Sequence, residues 1–199
     1  MAVTAPPPRR LYFIRHGETD WNAEGRLQGQ KDIPINARGR IQADEVAGRL
    51  AGLVADPGAL PWRVSPLGRT RETAEIARRA LRLPETDYTL DPDLREISFG
   101  RWEGLTWKEL RKADPAAARA READKWAFVP PGGESYAMLT ERMRPFATGL
   151  DRDMVVVSHG GVARALLRLL CGLSAGQAPS IDIWQGRVLL FEGGSYRWV

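Results

Sequence analysis

The chain has 199 residues, 43% hydrophobic and 27% charged, a balance that excludes a disordered or fibrous protein. It fits a single domain, residues 1–199, with a core large enough to need no staples. The 29 basic and 25 acidic residues leave a formal charge of +4, with Lys and Arg scattered among acids from Arg9 to Arg197, so no nucleic-acid partner is expected.

A Pro-rich leader through Arg10, expected to be flexible, precedes the apolar run Leu11–Ile14, which reads as a buried strand ending in Arg15-His16-Gly17-Glu18. A helix is expected over Ala37–Leu53, a strand over Trp62–Ser65, a helix over Arg69–Leu81 and a strand near Thr86–Leu90. Thr106 and Glu109 form a capping-box pattern that starts a helix ending near Asp114-Pro115. Residues 115–126 read as a helical excursion, and the function of residues 115–129 is left unassigned. Pro130-Pro131-Gly132-Gly133 breaks the chain before a helix from Ser135 that Pro145 is expected to kink or end. Met154–Val157 repeats the first pattern, a buried strand running into Ser158-His159-Gly160-Gly161 and a helix. Alternation in Ser180–Trp184 and Arg187–Glu192 suggests a hairpin around Gln185-Gly186, with the last residues adding an edge; self-association through that edge stays open.

Alternating strands and helices imply an α/β protein, a three-layer αβα sandwich with a mostly parallel central sheet. Ligands of such sheets sit outside the carboxyl ends of the strands. The single cysteine, Cys171, cannot close an intramolecular disulfide; the apolar segment near the N-terminus is short for a secretory signal, so none is expected, and there is no run of about 18 apolar residues. A cytoplasmic protein without a membrane span is expected.

The chain has only two histidines, His16 and His159, each following an apolar strand and preceding glycine, which suggests one shared site. Two histidines without a cluster of carboxylates or thiols fall short of a metal's usual three or four ligands, so no metal is expected. Arg69 sits where a helix begins, opposing the helix dipole and calling for a bound anion. Gly160 and Gly161 open another helix whose first N–H groups have no internal partners. Phosphate fits this arrangement, and no P-loop motif offers a nucleotide route.

The segments LYFIRHGETDWNAEGRLQG, SPLGRT, LREISFGRWEG and VVSHGG, in that order, resemble the histidine phosphatase superfamily, the phosphoglycerate mutase-like proteins. The resemblance implies His16 as the nucleophile that takes up a phosphoryl group, with Arg15, Arg69, His159 and Asn22 around the phosphate and Glu96 as proton donor. It further implies Gln28, Gly29, Arg71 and Gly160 along the substrate pocket, and the Gly17 carbonyl orienting the nucleophile's other ring nitrogen. Ile35-Asn36 stands where the family commonly has Leu-Thr, a change expected to touch only the loop.

For that chemistry His16 must be neutral when it attacks, and Arg15, Arg69 and a protonated His159 are expected to supply the ring of cations around the transferred group. Glu103, the competing acid, reads as organising its loop. The short chain and SFGRWEGLTWKEL resemble the phosphatase branch of this histidine acid phosphatase and mutase-like class. The expected activity is therefore metal-independent hydrolysis of a small phosphorylated metabolite, with inorganic phosphate as the other ligand and no cofactor. The alternatives are a cofactor-dependent phosphoglycerate mutase, primed by 2,3-bisphosphoglycerate, and a non-catalytic phosphate- or phosphoprotein-binding module.

Overall fold

A computed structural model describes residues 9–199. Most of the expected leader lies outside the described residues, and Arg10 belongs to the first strand. Strand β1 (Arg10–Arg15) buries both faces, Leu11 and Phe13 entering one core and Tyr12 and Ile14 the other. Strand β4 (Met154–Ser158) divides its side chains the same way, as the period of two in a strand requires. Each such side chain contributes roughly 1.5–3 kcal/mol by leaving water.

Between them lie α1 (Asp20–Ala23), α2 (Ala37–Leu53), β2 (Trp62–Val64), α3 (Gly68–Ala80), β3 (Thr89–Leu90), α4 (Trp107–Ala113), α5 (Pro115–Ala123) and α6 (Tyr136–Thr148). Helix α7 (Gly160–Cys171) and strands β5 (Val188–Glu192) and β6 (Ser195–Trp198) follow β4. Asn36 caps α2, accepting from the Gly39 N–H, so the departure at this position supplies a good cap. Ala43, Val46, Ala47 and Leu50 then bury one helical stripe. The capping box of Thr106 and Glu109 starts α4 as expected. Pro145 neither ends nor replaces the last turn of α6: it lies near the C-terminus, and the carbonyl left without its donor belongs to exposed Glu141.

The sheet order is β3-β2-β4-β1-β5-β6, parallel from β3 through β1 and antiparallel at β5 and β6. Helices α2 and α3 cover one face and α6 and α7 the other, giving three layers. A smaller cluster of Leu27, Trp102 and Leu110 packs α4 beside the carboxyl ends. The expected hairpin is displaced: residues 180–184 form no strand, and β5 turns at Gly193-Gly194 into β6. No helix among the described residues is long and apolar enough to cross a membrane.

The chain leaves β1 for β2 on one side of the sheet and leaves β4 for β5 on the other. The carboxyl ends of β1 and β4 therefore flank the crevice where such sheets bind ligands.

Candidate active site

Parallel register sets Arg15 against Ser158, and the His16 N–H donates to the Ser158 carbonyl at 3.0 Å. The next residues along the paired strands, His16 and His159, are thereby brought together with ring centroids 5.2 Å apart. Both rings are buried, at 2% and 0% exposure. His16 Nδ1 lies 2.8 Å from the Gly17 carbonyl. An oxygen acceptor there requires the proton on Nδ1, which leaves the Nε2 lone pair free. The Gly17 N–H donates to Thr73 Oγ1 at 3.0 Å, and a Cβ on Gly17 would fall 2.3 Å from the Gly39 carbonyl oxygen. Glycine alone lets α2 begin this close to the His16 loop.

Arg69, wholly buried, donates to the carbonyls of Lys31 and Gly29 at 2.7 Å each. Arg15 donates to the Ile183 carbonyl at 2.7 Å. His159 Nε2 meets Ser65 Oγ at 2.8 Å. After these bonds, the buried side-chain polar atoms without a partner among the described residues are Arg15 Nε, Arg69 Nε, Gln28 Nε2 and His159 Nδ1. All four are nitrogens of predicted site residues. An orphaned buried polar group is destabilised by about 1–3 kcal/mol, so these nitrogens mark a site shaped for an oxygen-rich ligand, although only Arg15 and Gln28 of the four residues line the cavity beside His16, and Arg69 and His159 do not.

Arg15, His16, Asn22, Gln28, Gly29, Glu96 and Gly160 line one cavity of about 160 Å³. Asn22 Oδ1 accepts from the Thr19 N–H at 3.2 Å and from Gln185 Nε2 at 3.0 Å. Glu96 Oε1 accepts from the N–H groups of Ile97 and Gly161, both at 2.9 Å, while Oε2 has only a 3.3 Å contact with the latter. A Cβ on Gly161 would fall 2.3 Å from that Oε1, so the second glycine is what admits the carboxylate. Glu103 accepts from the N–H groups of Gln30 and Phe99, an anchor for the loop.

Arg71 stays outside: it is exposed on α3 and borders Tyr88 and Glu75. Two residues apart on a helix, Arg69 and Arg71 point to different sides, so proximity in sequence did not become proximity in space. Arg26 reaches the cavity, but its guanidinium is held by Glu24, Glu109 and the Gly104 carbonyl. Sequence reasoning missed Arg164 and Tyr136, which also line the cavity, and Gln185, which donates to the His16 carbonyl at 3.2 Å. Arg164 was signalled by its place four residues after Gly160, on the same face of α7.

Burial pushes both histidines well below the ordinary imidazole value, with Arg69 and Arg15 adding to the effect on each. The direction favours neutral rings before an anion binds, and the positive charge expected on His159 is that of the state with a phosphoryl group in place. Burial pushes Arg15 down to about 10, opposed by Glu96 and reinforced by Arg164 and Arg69, and it remains cationic at neutral pH. Among the described residues no three His, Cys, Asp or Glu side chains are grouped as metal ligands.

These shifts predict acid sensitivity. The unfolded histidines protonate below about pH 6.5 while the folded ones resist. Stability present above that pH is therefore lost as pH falls toward the folded values, by up to about 1.4 kcal/mol per histidine per pH unit. Urea unfolding at pH 7.5, 6.5 and 5.5 should show the loss, and saturating inorganic phosphate should lessen it because an anion favours the charged rings. A pH slope that phosphate leaves unchanged would contradict this assignment.

A family model described as the histidine phosphatase superfamily (branch 1) matches residues 11–199. The chain is 38% identical over 165 residues to phosphoglycerate mutase-like protein 4 of Arabidopsis thaliana, covering 78% of this chain and 68% of that one. It is 36% identical over 180 residues to the metal-independent phosphoserine phosphatase of the same plant, covering 87% and 74%. It spans 46% of the length of the bifunctional protein Rv2228c of Mycobacterium tuberculosis, at 38% identity over 178 residues. The structure of the mycobacterial glucosyl-3-phosphoglycerate phosphatase Rv2419c with VO3 matches with a TM-score of 0.79 and 31% identity, covering 96% of each chain.

Proposed function

The chain belongs to branch 1 of the histidine phosphatase superfamily, and on that premise we propose that it hydrolyses a small phosphomonoester, without a metal, through a phosphohistidine at His16. The observation that carries this reading is the set of four unpartnered buried nitrogens, on Arg15, Gln28, Arg69 and His159. A phosphoryl group supplies the oxygens they lack. The names of the relatives, a metal-independent phosphoserine phosphatase and a glucosyl-3-phosphoglycerate phosphatase among them, support it further.

Phosphorus is attacked by His16 Nε2: the P–N bond forms as the ester P–O bond breaks, and the leaving oxygen takes a proton from Glu96. Arg15 and Arg69 stabilise charge on the equatorial oxygens of a loose transition state. His159 takes a proton from solvent when the phosphoryl anion binds, which offsets burial and the neighbouring cations that suppress its charge, and returns it when phosphate leaves. Glu96, now a carboxylate, takes a proton from water, whose oxygen bonds to phosphorus as the P–N bond breaks. Inorganic phosphate leaves and His16 is restored.

The test is phosphorus NMR of the protein in EDTA with p-nitrophenyl phosphate and 3-phosphoglycerate, primed with 2,3-bisphosphoglycerate. Inorganic phosphate is expected from the esters, with no 2-phosphoglycerate. Rapid formation of 2-phosphoglycerate without phosphate release would make the protein a mutase, and no turnover would make it a binding module.

A further inference from the structure

Residues 181–185, whose alternation belongs to no strand, run along the site. Ile181 and Ile183 give their carbonyls to Arg164 and Arg15 at 3.0 and 2.7 Å. Ile183 is buried in the core, Trp184 is half exposed, and Gln185 turns inward again, the period of two of an extended chain. Gln185 Nε2 donates to the His16 carbonyl at 3.2 Å and to Asn22 Oδ1 at 3.0 Å, which uses both protons of the amide.

Two further amides follow in series. Asn22 Oδ1 also accepts from the Thr19 N–H at 3.2 Å, and Asn22 Nδ2 donates to Gln28 Oε1 at 3.4 Å. Thr19 Oγ1 donates to the same Gln28 oxygen at 3.3 Å. These bonds leave Gln28, 6% exposed and lining the cavity beside His16, with an unpartnered Nε2.

The direction of each amide is fixed by groups that cannot change role. The backbone carbonyl of His16 only accepts, and the backbone N–H of Thr19 only donates. Turning Gln185 over would set its oxygen against the His16 carbonyl, and turning Asn22 over would set its NH₂ against the Thr19 N–H. With both held, Gln28 keeps its oxygen toward Asn22 and Thr19 and its nitrogen for a ligand. A turned Gln28 would place an acceptor where the anion binds, a repulsion that a low-dielectric site strengthens.

We propose that Gln185 is a positioning residue for the phosphoryl pocket: through Asn22 it orients Gln28, so that Gln28 Nε2 is presented as a donor to the bound phosphoryl group. Gln185 itself does not line the cavity. The identity of the anion rests on the phosphatase reading above, whereas the order of the amides rests on their hydrogen bonds. Loss of Gln185 leaves Asn22 Oδ1 with one of its two donors, and Asn22 and Gln28 are then freer to turn together.

The test is a double-mutant cycle, read as the dissociation constant of inorganic phosphate by calorimetry and as kcat/KM for p-nitrophenyl phosphate. Gln185→Met, of similar length and without donors, should weaken phosphate binding by about fivefold to tenfold, the range of one hydrogen bond's net contribution. In a Gln28→Met background, which has no amide left to orient, the same change should cost less than about twofold. A loop merely loosened at Gln185 would lower phosphate affinity equally in both backgrounds. That equality, or full phosphate affinity in Gln185→Met, overturns the proposal. Gln185→Ala removes the same donors and completes the cycle if Gln185→Met does not fold. Phosphate binding with the expected non-additivity but without turnover of the ester supports the relay and overturns the phosphatase reading. A wild-type protein that binds no phosphate overturns both.

Discussion

His16→Ala is expected to lower turnover of p-nitrophenyl phosphate by about 10⁴-fold or more, the scale expected when a covalent nucleophile is lost. That corresponds to roughly 5.5 kcal/mol of transition-state stabilisation, since each tenfold is about 1.36 kcal/mol. The loss is chemical because the anion pocket stays: Arg15 Nε, Arg69 Nε and His159 Nδ1 belong to other residues, and Nδ1 of His16 is already engaged by the Gly17 carbonyl. Inorganic phosphate should therefore still raise the unfolding temperature of the variant, as any ligand of the native state does. The companion measurement is acid-sensitive label on wild-type protein after rapid denaturation with a ³²P-labelled ester, absent from His16→Ala. Retention of activity within tenfold of wild type would mean that water attacks the ester directly and that no phosphohistidine lies on the path.

Much of the frame was legible because burial and capping act locally. The apolar runs Leu11–Ile14 and Met154–Val157 read as buried strands and Ala37–Leu53 as a helix, whereas Asn36, expected to touch only the loop, is that helix's cap. The two histidines were legible as a pair because each ends such a strand; that the strands are neighbours is a fact of topology. Where the reading went wrong, the deciding term was not local. Residues 180–184 alternate as a strand would, yet Ile181 and Ile183 give their carbonyls to Arg164 and Arg15, and the sheet pairs Ser195–Trp198 with β5 instead. Arg71 failed for helical geometry. Residues 115–129 carried no role in the sequence, and only packing places the Arg121 guanidinium over the Trp107 ring.

Glu96→Gln separates the acid from the pocket by its dependence on the leaving group. In the protein Oε1 is fixed by the Ile97 and Gly161 N–H groups, so under the proposed mechanism Oε2 is the oxygen that would carry the proton to the ester oxygen. Glutamine can keep the first arrangement but has no proton to release at the second position. An alkoxide leaving from glycerol 3-phosphate is strongly basic and needs that proton, so kcat/KM should fall by about 10²–10⁴-fold, the usual contribution of general acid catalysis. A p-nitrophenolate is weakly basic and leaves unaided, so its kcat/KM should fall by less than about tenfold. Because kcat/KM reports the first phosphoryl transfer alone, the base role of Glu96 in the second half is read separately. The variant should give a burst of p-nitrophenol and then accumulate labelled protein, as water goes unactivated. Glu103→Gln is the discriminating control, since Glu103 holds the backbone of Gln30 and Phe99 and should disturb both esters alike. Equal losses of kcat/KM for the two esters in Glu96→Gln would give Glu96 the same positioning role, and the proton would have to come from elsewhere in the cavity.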